Sequence, residues 1–389
     1  RRIIFKGDEQ MKKIKILAVQ DPAVSVYVDS RLDLLRKFPK KDVEAEFDIV
    51  SWDDYFETMM NSFQGNADYD IVMVAGHLWL RDFVEKGYLQ EISYDFEDIL
   101  PVIAREMQYK GKTYLSPSFC DGHMIAYRKS AVEKAAGKLP GEIMTADEFV
   151  DIAEKLHKAG YQNPIALKAA KSEILLDALP YLRSGGKDVY TQTESGISCN
   201  IAELENELEK YVSLKKFAPE ETHTYGNDDI REMLSDKKAM MATTWSGQLG
   251  VVMKDCSEKE AIGFPTFDTA WNVTWSFAIT GVSKNKEDAQ ALLEYLRSPE
   301  IDALAGECSG APVRKSNYEK GADIYPWYRV QLRMIEEYAE PFPPLAEAGD
   351  MNGVLYDAIY SAFTGEKSVR QAIDEAQAKA DSIQERSQI

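Results

Sequence analysis

Apolar residues recur along this chain with two periods that take turns. Lys13-Ile14-Lys15-Ile16-Leu17 alternates with a period of two and reads as a first β-strand. The next segment carries Val28, Leu32 and Leu35 at helical spacing and predicts an amphipathic helix. "VEAEFDIV" returns to period two, with Val43, Ala45, Phe47 and Ile49 on one side. Ser51 then opens a helix, and Asp54 three residues on gives it a capping-box-like start. "YDIVMVAG" is an uninterrupted apolar strand, the pattern of a strand covered on both faces. Together these segments spell β-α-β-α-β, which predicts a parallel sheet flanked by helices.

The same alternation continues downstream. Thr145 and Glu148 form a capping box ahead of Phe149, Ile152, Ala153 and Leu156, one helical stripe. "KKAMMATT" is a strand ending at Trp245-Ser246-Gly247. Asn285 with Asp288 predicts a helix start ahead of Ala289, Leu292, Leu293 and Leu296. Pro299 stands at the favoured first position of the next helix. Ser368 and Gln371 cap a last one. Trp271 and Trp275 are four apart, which fits a helical stripe or two strand repeats. From 271 to 279 the odd positions are Trp, Val, Trp, Phe and Ile, and the even ones are Asn, Thr, Ser and Ala. Strict alternation favours a strand, with both rings on one side of a sheet.

Composition narrows the class. A chain of 389 residues exceeds what one core usually supports, so two domains are expected. No apolar run is long enough to span a membrane as a helix. A net charge of −19 argues against nucleic-acid partners, which require a basic face. Cys120, Cys199, Cys256 and Cys308 are scattered without a CxxC, so no metal site is expected and unpaired buried thiols are the simplest reading. The start, "RRIIFKGDEQ", lacks the long apolar run and small-residue cleavage site of a signal peptide. Residues 1–10 are read as an extension or tether, with any leader absent from this chain.

The order of landmarks resembles the family 1 extracellular solute-binding proteins, sugar-capturing subunits of ABC importers. "FQGNADYDIVMV" looks like the family's small-residue turn, Asp and apolar strand. "YKGKTYLSPSFCDGHMIAYRKSAVEKAAG" resembles its "dGk.yglP" and "yNk..f.kaG" stretches, with Arg128 in place of Asn. "MTADEFVDIAEKLHKAG" resembles its "tWdEf" helix, with Ala146 for Trp. "MLSDKKAMMATTWSGQLG" is similar to its "GkaAM...gsw" strand, with Asp236 for Gly. "IGFPTF", "SFAITGVSKNKEDAQALLEYLRSPE", "GAPVRKS" and "TGEKSVRQAIDEAQAKAD" follow in order, so the likeness runs nearly end to end.

The resemblance implies an α/β, two-lobed periplasmic-binding-protein fold (class II type), with hinge-linked lobes and a cleft between them. Lobe 1 would comprise 11–118 plus 280–322, and lobe 2 would comprise 119–279 plus 323–389. Ser116 to Ser118 and Ile279-Thr280-Gly281 would be the first two crossings. The ligand would sit at loops leaving the carboxyl ends of strands, where ligands also sit in open α/β sheets.

A sugar needs aromatic rings for its C–H faces and planar polar groups for its hydroxyls. Trp245 at a strand exit is the leading candidate, weighed against a core ring. Trp275, near the second crossing, is the other, and Trp271 is left to shape the cleft edge. Asp121 lies beside the first crossing, although Asp-Gly is also a turn signal. Trp79 and His77 follow the third strand. Trp52 and Asp53 begin the helix after strand two, where Asp53 also suits a helix N-terminus. Gln20 and Asp21 follow strand one. Arg314, Glu347 and Tyr356 complete the set. The expected function is non-catalytic capture of a carbohydrate, and several aromatics point to an oligosaccharide of more than one ring. Lobe closure would then allow delivery to ABC transporter permease subunits. The expected protein is a monomer without cofactor, outside the cytoplasm, periplasmic or lipid-anchored. Two alternatives stay open: the same fold binding a polyamine or other cation, and a glycoside-acting enzyme with paired carboxylates.

Overall fold

The structure, a computed structural model, describes residues 11–255, 261–309 and 311–387. Residues 1–10 and Cys256 lie outside them. Strand β1 (Lys12–Val19) is followed by β2 (Val43–Val50), helix α1 (Trp52–Phe63), β3 (Ile71–Ala75) and α2 (Gly76–Glu85). β1 pairs in parallel with β2 and with β3, and β3 is buried throughout. The alternation in this region therefore forms the parallel sheet it predicts.

The first expected helix does not form as a continuous element. Ser25–Val28 makes a single helical turn and Leu35–Lys37 a 3₁₀ turn. Between them the Asp29 carboxylate accepts the Arg31 N–H at 2.8 Å, and Asp33 takes a positive φ of 50°. These local bonds compete with helix propagation. Val28 is left exposed, and Leu34 and Phe38 are buried instead. Ser51 precedes α1 as read, but its hydroxyl bonds the Asp54 carboxylate at 2.9 Å rather than a backbone N–H.

The chain continues through α3 (Pro101–Glu106) to β4 (Ser116–Arg128), a long strand buried along its whole length. Next come α4 (Ala146–Lys158), the short β5 (Ile165–Ala166), α5 (Ile174–Leu182) and α6 (Asn227–Ser235). α4 starts with the full capping box, Thr145 Oγ1 accepting the Glu148 N–H at 3.1 Å and Glu148 accepting the Thr145 N–H at 2.7 Å. β6 (Met241–Trp245) leads directly into α7 (Ser246–Asp255), followed by β7 (Ile262–Gly263) and β8 (Asn272–Ile279). The remainder is largely helical: α8 (Lys286–Leu296), α9 (Pro299–Ser309), α10 (Tyr328–Glu337), α11 (Ala348–Thr364) and α12 (Val369–Ser387). At α8 the expected cap is not made. The Asn285 amide bonds Asp70 at 3.2 Å, and Asp288 pairs with Lys12 and Lys40.

The main sheet runs β2-β1-β3-β8-β4-β6-β5, with β7 also on β4. Its two ends are joined through the antiparallel pair β8 and β4. β8 pairs with β3 from Trp275 to Ile279, and with β4 from Asn272 to Phe277. β4 changes partner midway: Ser116 to Gly122 face β8, and His123 to Tyr127 face β6. The expected strand is thus present at β8, but both of its faces are buried. Of its even positions, Thr274 finds a polar partner inside, its Oγ1 donating to Glu106 at 3.0 Å.

Candidate ligand-binding site

Several strand ends converge on one cleft. β1 delivers Gln20 and Asp21, α1 begins with Trp52, β4 carries Asp121, β6 ends at Trp245, and β8 carries Trp275. All six line the inner cleft, joined there by Glu173, Leu176 and Asn227. The inner part has a volume of about 50 Å³. It is continuous at Gln20, Asp21, Trp52, Glu173 and Asn227 with an outer groove of about 790 Å³, which Asp53, Arg231 and Gln248 also line.

Three carboxylates face this cleft. Asp121 Oδ1 accepts the Gly247 N–H at 3.0 Å, at the start of α7. Asp21 Oδ1 accepts the Ala23 N–H at 2.8 Å. A Cβ on Gly247 would lie 3.0 Å from Asp121 Oδ1 and 3.3 Å from Asp21 Oδ2. Glycine is needed where the two carboxylates close on the backbone. Burial pushes Asp21 up to about 7, against the pull of the Ala23 N–H. Burial, and then the nearby Asp21 charge, raise Asp121 well above the usual range. Burial also raises Glu173, offset by the Lys168 charge and the Trp245 indole N–H.

The aromatic residues form two groups. Trp52, Trp79 and Trp275 pack together with centroids 5.9–6.2 Å apart, and Tyr55 meets Trp275 at 5.8 Å. Trp52 Nε1 also donates to the Ser172 carbonyl at 2.8 Å, a bond across the cleft. Trp245 stands apart. His123 stacks on it at 4.6 Å and the Lys168 ammonium lies 4.1 Å from its ring centre. β4, which carries His123, and β5, which leads to Lys168, flank β6 on opposite sides, so the two groups approach the ring from opposite directions. Trp245 therefore has both faces covered and turns an edge to the cleft.

The remaining candidates lie elsewhere. His77 and Trp79 line a separate cavity of about 410 Å³ along α2, with Glu106, Tyr109 and Phe342. There His77 Nε2 is 3.0 Å from Glu106 Oε1. Trp79 reaches the cleft only as packing behind Trp52 and Trp275. Trp271 is fully buried against Phe342 at 4.4 Å and His77 at 5.6 Å, and so does not form the cleft edge. Arg314 is held by the Arg297 and Glu97 carbonyls at 2.7 and 3.2 Å, away from the cleft. Glu347 sits in the turn before α11, its carboxylate 3.4 Å from Lys86 and its N–H on Asp82. Tyr356 lies on α11 behind Glu173, whose charge adds to burial in raising its hydroxyl.

The sequence reading did not include Glu173, which lines the cleft, or Lys168, which lies behind it against Trp245 and Glu173. The signal for Glu173 was an acidic residue directly before the apolar run "ILLDALPYL". For Lys168 it was a lone cation in "PIALKAA", where nothing else is charged.

A mixed α/β sheet with a polar, aromatic-walled cleft at its strand ends defines a two-lobed binding protein. The chain belongs to the bacterial extracellular solute-binding protein family, whose model matches residues 36–326. The maltose-bound MalE3 of T. maritima superposes with a TM-score of 0.83 at 23% identity, covering 95% of this chain and 99% of that one. A mannitol-binding protein of Pseudomonas aeruginosa is 25% identical over 338 residues, 75% of each chain. A probable amino-acid ABC transporter periplasmic-binding protein of Sinorhizobium fredii is 24% identical over 277 residues. That match spans 69% of this chain and 64% of the relative's length.

Proposed function

We propose that the protein captures a carbohydrate in this cleft and hands it to an ABC permease, without catalysing a reaction on it. The observation that carries the reading is the convergence of Asp21, Asp121 and Glu173 with Asn227, Gln20, Trp245 and Trp275. Carboxylates and amides at this density suit a rim of hydroxyl donors, and charge-assisted bonds are the strong ones. The inner volume of about 50 Å³ is well below the ~300 Å³ at which ligand pockets begin. The lobes must therefore part to admit ligand, and contacts on both sides then favour closure. A small inner cleft opening into a long groove suits an oligosaccharide, with one unit held deep and the rest along Ser51, Asp53 and Gln248.

The hinge belongs to the same proposal. We place it where β4 changes partner, at Gly122–His123, and at the start of β8. This is several residues from the crossings expected at Ser116–Ser118 and Ile279–Gly281. Thr280 and Gly281 donate to the Asp70 and Tyr88 carbonyls, which ties them to the first lobe.

A second reading has its own support. Three buried carboxylates beside tryptophans also suit a cation such as a polyamine. Thermal-shift screening separates the two, because a ligand bound only by the native state raises Tm. Maltose, maltotriose or mannitol should stabilise the protein, and glucuronate should fail against the carboxylates. Stabilisation by spermidine alone would establish the cation reading, and cleavage of the oligosaccharide during incubation would contradict the non-catalytic one.

A further inference from the structure

Lys168 follows β5 beneath the cleft, and its side chain is fully buried. Its ammonium lies 4.1 Å from the centre of the Trp245 ring and 4.0 Å from the nearest Glu173 oxygen, and among the described residues no hydrogen-bond acceptor meets it. An ammonium carries three donors, and burying one without acceptors is costly unless surrounding charge and ring faces hold it. Its surroundings are negative: the charges of Glu173, Asp177 and Asp121 all act on it. Asp177 is turned inward and accepts the Tyr211 hydroxyl at 2.7 Å. Glu173 and Asp121 line the cleft.

The other groups around Glu173 do not replace this cation. Asp177 and Asp53 push its carboxyl up, and Tyr356 stands behind it. The Asn227 amide is 3.4 Å away and carries no charge. His123, on the far face of Trp245, is driven to its neutral form by burial and by the charges of Lys168 and Arg183. Arg183 is occupied by Asp188 at 2.9 Å and the Glu340 carbonyl at 2.6 Å.

We propose that Lys168 is a positioning residue of the ligand site, a buried counter-ion clamped on Trp245 that keeps Glu173 ionised as an acceptor for the ligand. The lysine touches no ligand itself. It sets the charge of a carboxylate that does, and by covering one face of Trp245 it fixes which edge that ring offers. The assignment rests on the cleft being the ligand site. Its test uses no ligand, so the two ideas fail separately.

Protein labelled with ¹³C at glutamate Cδ is titrated by NMR, and Glu173 is identified by the resonance missing in E173Q. In K168M, a swap of similar length, the Glu173 midpoint should rise by about one pH unit or more, a tenfold change in its ionisation constant. An unchanged midpoint in folded K168M overturns the proposal. Should K168M fail to fold, E173Q labelled at lysine Cε supplies the reciprocal reading. There the Lys168 resonance, identified by its loss in K168R, should titrate at lower pH than in the wild type. No movement would equally overturn the proposal.

Discussion

Two cavities run along α2, and they are built from different chemistry. The cleft gathers three carboxylates, two amides and three tryptophans from four strands and the starts of three helices. The cavity of His77 is larger than the inner cleft, about 410 Å³ against about 50 Å³, yet its largely buried ionisable groups are a single histidine–glutamate pair, where the cleft holds three carboxylates. Glu106 accepts the Thr274 hydroxyl and sits 3.0 Å from His77. Volume therefore does not mark the site; the gathering of three carboxylates in one small cleft does. Tryptophans mark it poorly as well, since Trp79 and Trp271 are spent on packing while Trp275 and Trp245 reach the cleft.

Substitutions can break that contrast. The largest effect belongs to Trp245→Ala. A ring buried between His123 and Lys168 should cost about 3–5 kcal/mol of stability, read by chemical denaturation, and binding should be lost with it. Retained stability would show that the ring is not packed as described. Asp121→Asn comes next. Replacing one acceptor oxygen of a buried carboxyl by an amide NH₂, at about 1 kcal/mol, should weaken ligand binding roughly fivefold by calorimetry, with little change in fold.

Asp21→Asn tests the electrostatics of the cleft through pH. In the folded chain the Asp21 carboxyl holds its proton up to about 7, whereas an ordinary one releases it near 3.8. In that window Asp21 holds a proton when folded that it releases when unfolded, so its contribution to stability falls as pH rises from 3.8 to about 7. Asparagine does not titrate. The variant's stability curve should be flatter across the window and sit relatively higher above it; parallel curves would refute the placement. His77→Ala should have the smallest effect on binding, under about threefold, because its side chain faces the other cavity. A large loss there would merge the two cavities into one site.

The regular part of the fold was legible because periodicity and burial agree in it. β1, β2, β3 and the capped α4 follow directly from their patterns. The helix expected around Val28 failed because Asp29 and Asp33 offered the backbone local alternatives that an apolar stripe does not reveal. In the cleft, residues leaving strands were readable: Gln20, Asp21 and Trp245 meet as their positions suggested, and Asp121 and Trp275 join them from inside β4 and β8. Arg314, Glu347 and Tyr356 did not, because carbonyls, Lys86 and the packing of α11 hold them, and such partners are fixed only by tertiary structure. Lys168 was invisible for the same reason. A lysine in a short apolar segment has no meaning until Trp245 and Glu173 are brought over it.

The claim that the cleft, and not the His77 cavity, holds the ligand is tested most directly by hydrogen–deuterium exchange with and without the sugar that stabilises the protein. Protection should appear in segments containing Asp21, Trp52, Asp121, Glu173 and Gly247, from both sides of the cleft at once. Protection confined to residues 77–81 and 335–345, with the cleft segments unchanged, would contradict it.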